Sequence, residues 1–91
     1  MSGDKESPGN SDILKEKSAI TVDCSGMLCP HPILEIAKRI RQLQPGQLVE
    51  LLATDPNTRK DIPTWCQKTG NKLIGIEEKD KTIRFYIQKS G

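Results

Sequence analysis

Three side chains of this 91-residue chain carry thiols, Cys24, Cys29 and Cys66, and one of them stands where thiol chemistry is favoured. Cys29 opens the run Cys29-Pro30-His31-Pro32, shortly after Ser25-Gly26. Proline suits the first position of a helix, because its missing N–H would find no partner there. Cys29 is therefore the expected N-cap of a helix that begins at Pro30. A helix N-terminus carries partial positive charge and free N–H donors. Both favour a thiolate over a thiol, and the thiolate is the nucleophile. Pro32 still falls in the first turn, and it pushes His31 away from α geometry. The two prolines stiffen the approach and hold the sulfur in a defined direction. The plain alternative is a small apolar side chain at a loop end, since free cysteine is often simply buried.

The other two thiols read as core. Cys24 shares one strand face with Ile20 and Val22, although its nearness to Cys29 leaves a resolving-thiol role open. Cys66 follows Ile62 and Trp65 on an apolar helical stripe. An odd cysteine count gives no disulfide framework. Cys24 and Cys29 lack a second ligand pair, and His31 is the sole histidine, so neither zinc nor another cofactor is expected.

Around these residues the chain spells out short elements. Ile20, Val22 and Cys24 alternate with Thr21 and Asp23, a strand with one buried face. Ser25-Gly26 breaks it. Ile33, Ile36, Ala37, Ile40 and Leu43 then follow helical spacing, with Lys38, Arg39 and Arg41 largely off the stripe. Pro45-Gly46 ends that helix. Leu48 to Ala53 is an apolar run, a second and well-buried strand. Asp55-Pro56-Asn57-Thr58 is turn and helix-start chemistry. In the second helix Asp61 is the expected N-cap, which leaves Pro63 in the first turn. Gly70 stops it. Leu73, Ile74 and Ile76 mark a third strand, and 78–81 a charged hairpin turn. Ile83, Phe85 and Ile87 alternate with Arg84, Tyr86 and Gln88, a fourth strand with one wet face. The expected fold is α+β: a two-layer α/β sandwich, βαββαβ, with two helices on one face of a four-stranded mixed sheet. Residues 1–17, polar and rich in charge, are expected to be a flexible tail, and 18–90 the domain.

Composition narrows the function. A domain this small buries only about 60–65% of its unfolded surface, so a deep substrate cavity is not expected. The net charge is +2. Residues 1–18 hold 3 basic and 4 acidic side chains, leaving 11 and 8 for the rest, a mild basic excess of +3. That suits an acidic protein surface and is too weak to indicate nucleic acid. No run approaches the ~20 apolar residues of a membrane span, and no apolar stretch follows the N-terminal charges as in a secretory signal. A reduced, cytoplasmic setting is expected.

The segment Asp23-Cys24-Ser25-Gly26-Met27-Leu28-Cys29-Pro30-His31-Pro32 resembles the signature of the TusA/SirA-like sulfur carrier proteins: Asp, then Gly, then Cys-Pro-x-Pro opening a helix. The downstream Asp55-Pro56 and Arg59-Lys60-Asp61-Ile62-Pro63-Thr64-Trp65-Cys66 resemble that family's second-helix region, and 84–89 its last strand. The similarity spans about residues 19–90. It implies that Cys29 takes up sulfane sulfur as a persulfide and relays it, a sulfurtransferase activity. A cysteine desulfurase or rhodanese-type donor and a downstream acceptor protein are the implied partners. Thiolation of the tRNA wobble uridine is one destination, sulfur oxidation or cofactor assembly others. The helix field that favours a thiolate also favours an anionic persulfide. Asp23, Gly26, Pro30, Pro32 and Asp61 are then supporting residues, and His31, Arg59 and Lys60 candidates for docking.

The alternative is a non-catalytic protein- or RNA-binding module of the same fold. Against RNA, the three aromatics are Trp65, Phe85 and Tyr86, and the first two lie on core faces, so stacking platforms are lacking. No DNA-reading element is apparent. Direct contact with nucleic acid is not expected. A monomer is the default for a carrier that docks two proteins in turn.

Overall fold

The computed structural model describes residues 16–28 and 31–90. Strand β1 (Ser18–Cys24) leads to helix α1 (His31–Ile40), strand β2 (Leu48–Ala53), helix α2 (Thr58–Thr69) and the hairpin β3 (Lys72–Lys79) and β4 (Thr82–Gln88). Two helices and a four-stranded mixed sheet are as expected. The order is βαβαββ, not βαββαβ: the second helix precedes both strands of the closing hairpin. The reason is the two-residue link Asp80-Lys81, which is long enough only for a tight turn between adjacent antiparallel strands. Both its residues take left-handed φ, 52° and 69°.

The sheet order is β1-β2-β4-β3. β1 pairs parallel with β2, while β4 pairs antiparallel with both β2 and β3, so β1, β2 and β3 run the same way. Alternation sets the faces. Val22, Val49, Leu51, Ala53, Ile83, Phe85 and Ile87 join Ile36 and Ile40 of α1 and Ile62 and Cys66 of α2 in one core. Cys24 belongs to it as well, fully buried. At about 25 cal/mol per Å² of apolar surface, this shared layer is the main stabilising term of a thin domain.

The opposite face carries Thr21, Glu50 and Tyr86 in one cross-strand row. Its expected wetness is corrected at Tyr86, which is 1% exposed. The phenol donates to Glu50 Oε2 at 3.0 Å, and Thr21 Oγ1 donates to Glu50 Oε1 at 3.0 Å. These bonds satisfy a carboxylate that is itself only 3% exposed.

Helix ends differ from expectation in three places. α1 is already helical at His31, whose N–H donates to the Leu28 carbonyl at 2.9 Å; that turn outweighs the bias of a following proline. Its regular part stops at Ile40, before Pro45-Gly46, and Lys89 Nζ donates to the Leu43 carbonyl just beyond it at 2.7 Å. α2 starts at Thr58 with Asn57 in the N-cap position, so Asp61 lies in the first turn and does not cap. Asn57 makes no side-chain capping bond; Asp55 shapes the turn before it, where its Oδ1 accepts the Asn57 N–H at 3.0 Å and its carbonyl the Thr58 hydroxyl at 2.6 Å. The earlier start puts Pro63 inside the helix rather than in its first turn. Of the expected tail, Glu16 and Lys17 are helical and run into β1; residues 1–15 lie outside the described residues.

Candidate functional site

β1 and β2 are parallel neighbours and each feeds a helix from its carboxyl end. The N-termini of α1 and α2 therefore open toward the same edge of the sheet. Free N–H donors and the partial positive charge of two helix N-termini are thus gathered at that edge. The β1–α1 connection lies at this edge, and His31 and Pro32 of the Cys-Pro-His-Pro segment already belong to α1. Cys29 and Pro30 themselves lie outside the described residues; the residues on both sides define the frame.

Asp23 ends the exposed row of β1, and its Oδ1 accepts the Ser25 N–H at 2.9 Å. Hydrogen bonds from Ser25, side chain and backbone, hold the Asp23 carboxyl below its ordinary range. The Met27 N–H donates to the Cys24 carbonyl at 3.0 Å, closing a turn in which Gly26 has φ +81°. Such a turn needs positive φ at its third residue. A Cβ on Gly26 would meet nothing within 4 Å, so backbone conformation alone calls for glycine. Asp23 and Gly26 thus shape the loop.

The loop is also tied to the neighbouring strand. The Gly26 N–H donates to Thr54 Oγ1 at 2.8 Å. Thr54 follows β2 directly and precedes the buried Asp55, 6% exposed, that starts α2. Neither was singled out as a site residue in the sequence. The parallel register Cys24↔Ala53, which brings residues 25–26 beside residue 54, is the signal that would have found Thr54.

On the far side of the segment, Pro32 is fully buried and anchors the first turn of α1, while His31 is exposed. Leu28 and Leu34, 72% and 60% exposed, present apolar surface on either side of it. A shallow groove between the helices is lined by Ile33, Asp61, Thr64, Trp65 and Lys68, which brings Asp61 near the start of α1. Lys60 is exposed on α2. Arg59 is engaged elsewhere: its guanidinium grips Glu78 of β3 with two hydrogen bonds, Nε to Oε1 at 2.9 Å and the second to Oε2. The pair pins α2 to the sheet edge.

The two described thiols are unsuited to surface chemistry. Burial, then the nearby Glu35 and Asp23 charges, push the Cys24 thiol up. Burial pushes Cys66 up to about 11. Among the described residues no group of three or more His, Cys, Asp or Glu side chains could hold a metal ion. No described helix is long and apolar enough to cross a membrane.

Comparison with known proteins agrees with this frame. The family model for sulfurtransferase TusA matches residues 20–89. A sulfur carrier protein TusA of Pseudomonas entomophila is 39% identical over 69 residues, 76% of this chain and 86% of that one. A putative sulfur carrier protein of Archaeoglobus fulgidus is 34% identical over 70 residues, 77% of this chain and 96% of the other. The crystal structure of a SirA-like protein from Desulfitobacterium hafniense superposes with a TM-score of 0.70 at 26% identity, covering 79% of this chain and 99% of that one. A match that runs from the first strand past the last, over relatives covered almost end to end, settles the kinship: the chain belongs to the TusA family of sulfur carrier proteins.

Proposed function

We propose that Cys29 is the residue that carries the sulfur, as a persulfide, between a donor protein and an acceptor protein. The observation that carries this reading is the placement of the Cys-Pro-His-Pro segment: it joins a turn fixed by Asp23, Gly26 and Thr54 to the start of α1. Two helix N-termini open toward that edge, and their partial positive charge favours a thiolate and, after loading, an anionic persulfide. Cys24 and Cys66 are buried with raised pKa, which leaves Cys29 as the thiol suited to the task.

In the proposed cycle the Cys29 thiolate attacks the terminal sulfur of a donor persulfide. The donor sulfur–sulfur bond breaks, the donor leaves as a thiolate, and Cys29 holds R–S–S⁻. An acceptor thiolate then attacks that terminal sulfur and Cys29 departs as a thiolate. No net oxidation occurs and no cofactor of this chain takes part. A cysteine desulfurase or a rhodanese-type protein fits the donor role. Delivery toward tRNA thiolation is one fitting destination, with a later enzyme of the relay handling the tRNA.

The test is intact mass after incubation with a cysteine desulfurase and cysteine, for the wild type and for Cys29→Ser, Cys24→Ser and Cys66→Ser. The expected result is a gain of one sulfur atom in all but Cys29→Ser. No gain on any cysteine from desulfurase, rhodanese or polysulfide would overturn the reading and favour a non-catalytic docking module.

A further inference from the structure

β3 ends the sheet on one side. It pairs with β4 alone, and no described strand lies beyond it. An edge strand left single is usually blunted by a proline, a charge within its run, a bulge or a covering element. The middle of β3, Leu73-Ile74-Gly75-Ile76, has neither proline nor charge. Ile74 and Ile76 are 42% and 48% exposed. With Leu28 and Leu34 they are the exposed large apolar side chains among the described residues. The leucines flank the Cys-Pro-His-Pro segment, whereas the isoleucines sit together on this edge strand.

The edge has one kink. The β3–β4 register shifts between Leu73 and Gly75, so Ile74 is an extra residue. Leu73 stands opposite Ile87 and Ile76 opposite Phe85, both on the core face. Glu78, opposite Ile83 on that same face, reaches Arg59 of α2. Lys72 stands opposite Gln88 and Glu77 opposite Arg84, on the other face. A further strand must match this edge face to face and kink to kink. A straight strand does not follow it along its whole length. A second β3 does, when it runs antiparallel about a two-fold axis. Leu73 of each copy then stands opposite Ile76 of the other, and Lys72 opposite Glu77. Apolar meets apolar and positive meets negative, each of them twice.

We propose that β3 is the contact of a homodimer, in which two four-stranded sheets join edge to edge into one. The strand order is then β1-β2-β4-β3 followed by β3-β4-β2-β1 of the second copy. All the helices lie on one face of this sheet. β1, β2 and β3 run the same way, so antiparallel pairing turns the two carboxyl edges in opposite directions. The two β1–α1 connections therefore lie at opposite ends of the dimer, clear of the contact. This departs from the monomer expected of a carrier. One strand pair buries less than the roughly 1,600 Å² of a standard interface, so the dimer is weak and reversible.

Sedimentation equilibrium of the full chain, from about 10 μM to about 1 mM, tests this. The wild type is expected to pass from monomer to dimer over that range. Ile76→Lys, which sets a charge in the middle of the edge, is expected to stay monomeric with unchanged circular dichroism. Lys72→Glu and Glu77→Lys each place like charges across both contacts, and each is expected to weaken the dimer about tenfold. Mixed in equal amounts, the two variants are expected to pair with each other at wild-type strength. Position 72 of one then meets position 77 of the other as Glu against Lys or Lys against Glu. A wild type that stays monomeric throughout overturns the proposal, as does a dimer that Ile76→Lys leaves intact. A mixture no stronger than its separate variants overturns it too, since the copies would then meet through another surface or register.

Discussion

The Gly26 N–H meets Thr54 Oγ1 at 2.8 Å, and this one bond joins the loop after β1 to the residue that follows β2. It holds the segment leading to Cys29 at a fixed height above the parallel pair. Replacing Thr54 by Val removes the acceptor and keeps the shape. The expected loss of stability is about 0.5–1.5 kcal/mol, the usual net value of one hydrogen bond. Sulfur loading is expected to slow more than the melting temperature suggests, because the loop loses its register. Thr54→Ser should restore both. Equal loading rates in wild type and Thr54→Val would show that the tie does not position the segment.

Backbone conformation gives a paired test. Gly26→Ala forces a Cβ into φ +81° with nothing nearby to clash, so its cost is purely conformational, about 1 kcal/mol. Lys81 adopts φ 69° in the β3–β4 turn at a comparable cost. Lys81→Gly is therefore expected to raise stability by about 0.5–1 kcal/mol in urea unfolding, while Gly26→Ala lowers it. Like-signed changes would contradict the assigned φ angles.

The thiols should separate by reactivity. At neutral pH an alkylating reagent is expected to modify Cys29 first and leave Cys24 and Cys66 unmodified until the protein unfolds, as peptide mass mapping will show. The folded state holds Cys66 neutral up to about 11, against 9.0 for an ordinary thiol. A raised thiol pKa gives stability that is complete below the unfolded value and is lost as pH rises through the folded one. Stability is thus expected to decline between about pH 9 and pH 11, and less steeply in Cys66→Ala. Rapid labelling of Cys66 in the native protein would contradict its burial.

Arg59 and Glu78 separate a structural pin from a docking residue. Both are exposed, so the ion pair is expected to contribute little and to fade with added salt. Arg59→Ala and Glu78→Ala should then have similar, small effects on melting. If Arg59 also meets a partner, Arg59→Ala slows transfer while Glu78→Ala, which frees the guanidinium, does not. Slowing by both variants alike would assign Arg59 to the fold alone.

Much of this was legible in the chain itself. Period-two and helical spacing are local, so four strands, two helices and the core positions Val22, Cys24, Ile36, Ile62, Cys66 and Phe85 could be read directly. Proline and glycine punctuation marked the loop that carries Cys29, because those residues act through their own φ. Local helix-start chemistry points to Asp61, whereas α2 begins at Thr58, after a turn that Asp55 shapes from outside the helix. Alternation tells which face Tyr86 takes, and not how deeply it is buried there.

Tertiary structure alone decided the rest. Parallel pairing of β1 with β2 set two helix N-termini at one edge and brought Thr54 to Gly26, a contact across 28 positions that no local pattern encodes. It likewise spent Arg59 on Glu78, 19 positions away. The sequence determines the elements and the reactive residue type through short-range sterics and periodicity; which distant side chains meet there depends on strand order, and that is fixed only when the whole sheet closes over its core.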